Sequence, residues 1–98
     1  MRLKPEARKE DLLAVALVLA ESGHYTNVTR GEVAKAAQVS GPVLNYHFGT
    51  MAQFRRDLMR YAIRMESIKV LAQGLSIQDP QAVRAPSELK RRALDALL

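Results

Sequence analysis

The stretch from Thr29 to Phe48, TRGEVAKAAQVSGPVLNYHF, constrains this chain more than any other. Thr29 with Glu32 three residues later is a capping-box pattern. The hydroxyl accepts from a first-turn N–H, and the carboxylate reaches back to the cap. Val33, Ala34 and Ala37 then share one helical face, and Val39 closes a tight turn. Ser40 stands at the cap of a second helix, with Pro42 in the first turn, where a missing N–H does no harm. Leu44 and Phe48, four apart, face inward. Gly41, Pro42, Val43, Asn45, Tyr46 and His47 are left facing outward. The spacing predicts two short helices, 30–38 and 41–48, joined by a turn. This is a helix-turn-helix whose second helix presents small groups first and hydrogen-bonding groups further along.

The flanking segments read as scaffolding for that pair. A first helix is expected from near Pro5 to Ser22, ended by Gly23. Its core stripe is Leu12, Leu13, Ala16, Leu17 and Ala20. Val15, Val18 and Leu19 widen the stripe, as suits deep burial or a second chain. His24 has no metal-ligand partner at helical spacing and is read as a surface loop residue. Thr50 and Gln53 repeat the capping box and open a long fourth helix. Along it Phe54, Leu58, Tyr61, Met65, Ile68, Ala72 and Leu75 alternate spacings of four and three, a heptad-like seam. Gly74 ends or bends this helix. Met65, Ile68 and Leu71 lie past a three-helix core, so they need either the C-terminal segment or a second subunit. Asp79-Pro80 opens a short helical segment, Pro86 breaks it, and 87–98 forms an amphipathic helix. The division expected is 1–73, carrying the helix-turn-helix and the long helix, and 74–98, a helical tail that dimerises.

The residues Thr29, Glu32, Val33-Ala34, Ala36-Ala37, Val39-Ser40 and Leu44-Asn45-Tyr46-His47-Phe48 resemble the N-terminal DNA-binding domain of the TetR family of bacterial repressors. The likeness covers about residues 8–65. Three positions depart from the family pattern. Gln38 stands where the family has Gly in the turn, and Asn45 where it has a phosphate-binding Tyr, with Tyr46 adjacent. Met51 replaces a common phosphate-binding Lys. The resemblance implies a three-helix, homeodomain-like helix-turn-helix; with the long helix and the short helical tail read from the spacing, the fold expected is all-α. It also implies that His47 meets a phosphate.

A recognition helix brings its N-terminal residues to base edges in the major groove. Gly41 and Pro42 permit close approach, Val43 fits a thymine methyl, and Asn45 suits a bidentate pair with adenine. Tyr46 and His47 suit phosphates. So do Lys35 and the helix N-termini at Thr29-Arg30, Ser40 and Thr50. The charge agrees: 15 Lys and Arg against 10 Asp and Glu give +5 and a pI near 10.0. Arg2, Lys4, Arg8 and Lys9 suggest a basic arm along DNA.

Other classes find little support. With two histidines, no cysteine and no glycine-rich phosphate loop, no constellation for catalysis, a metal or a cofactor is legible. No run of 18 apolar residues occurs, and a cytoplasmic protein is expected. RNA binding would want an aromatic platform. The reading that follows is a homodimeric repressor, paired through the long fourth helix and the tail, that binds an inverted repeat of double-stranded DNA through the second helix of the pair, without a small-molecule inducer. The competing reading is a protein–protein interaction module that docks through the helix-turn-helix and the long helix.

Overall fold

The structure, a computed structural model, describes residues 5–98, with side chains from Arg8 onward. The described residues form seven α-helices and one 3-10 turn joined by short loops, and no strand occurs among them. The helices are α1 (Pro5–Glu21), α2 (Arg30–Ala37), α3 (Gly41–Phe48), α4 (Met51–Arg64), α5 (Ile68–Ser76), α6 (Pro80–Val83) and α7 (Ser87–Ala96). The fold is all-α, as expected. Arg2 and Lys4 of the expected arm lie outside the described residues, whereas Arg8 and Lys9 belong to α1.

Both capping boxes form. Thr29 Oγ1 accepts from the Glu32 N–H at 3.2 Å, and Glu32 Oε1 accepts from the Thr29 N–H at 3.2 Å. Thr50 and Gln53 repeat the exchange at 3.1 and 2.8 Å. Ser40 occupies the cap position of α3 in extended conformation, but its side chain closes no cap bond, contrary to expectation. His24 is no idle loop residue either. Its Nδ1 accepts from the Thr26 N–H at 3.2 Å and so caps the 3-10 turn Tyr25–Asn27.

The expected long fourth helix is two helices. α4 ends at Arg64, and Glu66 turns into the left-handed region at φ 57. The Ser67 N–H then bonds Ala62 O at 2.8 Å, and the Glu66 N–H bonds Ile63 O at 3.0 Å. These two bonds make a Schellman ending. Ser67 caps α5 through the Val70 N–H and donates to Glu21 Oε2 at 2.7 Å, which ties the corner to the end of α1. The break takes Met65 out of the seam, leaving it 56% exposed. It folds α5 back so that Val70 and Leu71 are fully buried.

α2 and α5 end the same way, with Gln38 and Gln78 at φ 58. All three left-handed positions carry side chains where glycine is the usual solution. Gln38→Gly is therefore expected to stabilise the protein by about 0.5–1 kcal/mol. A chemical-denaturation midpoint no higher than wild type would contradict it.

One core runs through the whole molecule. Leu12, Ala16, Val33, Leu44, Phe48, Phe54 and Leu58 fill its helix-turn-helix end. Met59, Ala62, Val70, Leu71, Ala82, Leu89 and Ala93 fill the other. Residues past α4 thus find their partner in the chain's own C-terminal segment. Only Leu89 and Ala93 of α7 point inward, however. Leu94, Leu97 and Leu98 are exposed. In α1, Leu17 is half-buried and Val18 exposed. Gly74 neither ends nor bends a helix. α5 continues to Ser76, and a Cβ at Gly74 would lie 2.5 Å from Met59 Cε and 2.8 Å from Ala82 Cβ. The glycine lets α4 and α6 approach α5 closely. The division expected at 73/74 falls within α5.

Polar bonds fasten the two ends of this core. Gln73 Oε1 accepts from the Tyr25 N–H at 2.9 Å, while its Nε2 donates to Ala20 O and Gly23 O at 3.1 and 3.0 Å. The buried Tyr25 hydroxyl donates to Asp79, which also caps α6. Burial, reinforced by Asp79, holds that hydroxyl well above the usual tyrosine range, so it stays a donor.

Candidate DNA interface

α3 lies across the helix-turn-helix with Leu44 and Phe48 turned into the core. Phe48 meets Phe54 edge-on at a centroid distance of 5.1 Å. Those two anchors fix the rotation of the helix about its axis. The remaining positions must face away, and Gly41, Pro42, Asn45 and Tyr46 are exposed, with Val43 and His47 partly so. Tyr46 stands 77% exposed, a large aromatic that the core does not hold. α3 carries no acidic residue.

An arginine flanks α3 on each side. From α1, Arg8 borders a shallow depression with Pro42, Val43, Tyr46 and His47. From α2, Arg30 Nη1 donates to Asn45 Oδ1 at 2.8 Å and to Gly49 O at 3.0 Å. Burial holds the His47 imidazole below the usual histidine range, and the positive charges of Arg8 and then Lys9 push the same way. These effects favour the neutral form of His47. Its ring stands edge-on to Tyr46 at 5.1 Å.

Lys9 does other work. It pairs with Asp57 at 3.1 Å and lies over the Phe48 ring at 5.5 Å, bracing α1 against α3 and α4. Most of the α4 guanidinium groups are also engaged. Arg55 donates to Thr26 O at 3.0 Å, Arg60 to Gln81 at 3.0 Å, and Arg64 pairs with Glu10.

The sequence-predicted site residues divide accordingly. Pro42, Val43, Tyr46 and His47 come together on one surface with Arg8, and Gly41 is exposed at the start of the same helix. Asn45 is exposed beside them, but its oxygen is held by Arg30. Lys35 and Ser40 are exposed. Thr29 and Thr50 spend their hydroxyls on the capping boxes. Their helix N-termini keep other N–H groups for an anion. The Arg30–Asn45 link was not legible in the sequence, since nothing in a fifteen-residue separation announces it. The placement of Arg8 was visible only as part of a basic terminus.

Residues 12–58 match the model for the bacterial regulatory proteins of the tetR family. This segment is a TetR-family N-terminal helix-turn-helix domain. The TetR domain is a DNA-binding module of transcription regulators, not an enzyme class. No curated protein and no solved structure matches the chain. No helix among the described residues is long and apolar enough to cross a membrane. None of them form a cluster of three or more His, Cys, Asp or Glu that could hold a metal.

Proposed function

We propose that this protein is a sequence-specific transcription regulator: a homodimeric repressor that reads an inverted repeat through α3 in the major groove, without a small-molecule inducer. The observation that carries the reading is the outer face of α3. It has no acid, exposes Pro42 and Tyr46, and brings Val43, His47 and Arg8 to one surface. One such face spans few base pairs, so a two-fold pair with half-sites about 34–36 Å apart gives a site long enough to be specific. Val83, Leu94 and Leu97, exposed on α6 and at the end of α7, offer apolar area to a second copy. The absence of an inducer is inferred from the inner faces of α4–α7, which are packed on one another. The test is selection from random duplex DNA followed by a salt titration. An inverted repeat with a steep loss of affinity as salt rises supports the proposal. Failure to bind at low salt would redirect attention to the same apolar side chains as a protein-docking surface.

A pH dependence follows from His47. A phosphate beside the imidazole favours its charged form, so binding takes up a proton. Affinity is expected to rise as pH falls from the bound-state pKa towards the lowered free-state one. His47→Ala should weaken DNA binding by about 1–2 kcal/mol, the scale of a lost charged hydrogen bond, and flatten this pH profile. Equal affinity across pH 5–8 in wild type and variant would remove His47 from the interface.

A further inference from the structure

The Arg30–Asn45 contact determines more than a shape. Arg30 is the first residue of α2, and the Thr29–Glu32 capping box fixes its backbone. Its Nη1 carries two hydrogens. One goes to Asn45 Oδ1 at 2.8 Å and the other to Gly49 O at 3.0 Å, the carbonyl just past α3. A guanidinium only donates, so the Asn45 amide must turn its oxygen to Arg30 and its NH2 elsewhere. Asn45 is exposed on the outer face of α3. What it offers a ligand is therefore a pair of N–H donors beside a fixed positive charge.

We propose that Arg30 is a specificity-determining positioning residue that sets which base edge Asn45 reads. The inference rests on the DNA-binding reading above. An adenine pair needs the amide oxygen and nitrogen side by side against N6–H and N7. Here the oxygen points across to α2, and an adenine N6–H would have to share it beside the guanidinium. The complementary edge is one that only accepts: guanine O6 and N7, or thymine O4. This replaces the adenine pairing that asparagine by itself suggests.

The experiment is selection from random duplex DNA with the wild type, Arg30→Met, Arg30→Lys, Asn45→Ala and Asn45→Asp, each checked by thermal melting. The position read by residue 45 is the one whose preference Asn45→Ala abolishes. Guanine or thymine is expected there for wild type, and for Arg30→Lys, which keeps a cationic donor. Arg30→Met frees the amide to rotate, and a shift towards adenine of about ten-fold or more is expected. Asn45→Asp presents acceptors only and should move the preference to cytosine. Adenine at that position in the wild type overturns the proposal even if Arg30→Met fails to fold. So does an Arg30→Met protein that binds every sequence more weakly with the preference unchanged, since Arg30 would then be a phosphate contact. A wild type that binds DNA without enriching any sequence, or does not bind it, removes the reading beneath the proposal and the proposal with it.

Discussion

Leu71→Ala is expected to destabilise the whole protein by about 2–5 kcal/mol. Leu71 lies on α5, thirteen residues past the matched TetR segment, yet its side chain is fully buried. It sits in the same core as Val70, Ala82, Leu89 and Ala93, and that core is continuous with Leu58 and Phe54 beneath α3. Removing it leaves a cavity that helices held from several sides cannot close. Because the two ends share one core, a single unfolding transition should move to lower denaturant, and DNA binding should be lost in step with it. Ile77→Ala, at a side chain 53% exposed and outside the proposed dimer face, should change stability by no more than about 0.5 kcal/mol. If Leu71→Ala instead melted in two steps, with DNA binding surviving the first, residues past α4 would be a separate unit.

Gly49→Ala is the second large effect, about 2–4 kcal/mol. Gly49 follows α3 with φ 70 and ψ −123, a conformation that side chains rarely adopt. A Cβ there would lie 2.1 Å from Gln53 Oε1. That oxygen accepts from the Thr50 N–H at 2.8 Å, so making room breaks the capping box of α4. The Gly49 carbonyl also receives Arg30. The variant should therefore lose DNA affinity beyond its fraction unfolded, because the far end of α3 is no longer held against α2. Denaturant midpoints, read beside binding at a temperature where both proteins are folded, separate the two losses. Wild-type stability in Gly49→Ala would show that this corner is not strained.

The two glycines of the core and the turn show how far sequence reading reaches. Gly49 was legible as a break, because Thr50 and Gln53 announce a new helix directly after it. Gly74 reads as a stop or a bend. It is a contact point instead, since closeness to Met59 and Ala82 is a relation between elements far apart in the chain. The break at Glu66-Ser67 was missed for a related reason. Phe54, Leu58 and Tyr61 continue smoothly into Met65 and Ile68 by spacing, and no Gly or Pro interrupts them. Once Glu66 accepts a left-handed φ, Val70 and Leu71 fold back into the core, and their burial outweighs its cost of about 1–2 kcal/mol.

The chemistry of the outer face of α3 came from the sequence alone. Leu44 and Phe48, four apart, decide which side of α3 is buried, and so leave Pro42, Asn45 and Tyr46 outside. Capping boxes and apolar spacing act within a few residues, so Thr29 to Gln53 could be read directly. Only the tertiary structure decided that Arg8 joins His47, that Arg30 turns the Asn45 amide, and that the tail completes the core. Each of these depends on how helices cross. Crossing is set by shape and burial summed over the whole molecule, which no local spacing in the chain encodes.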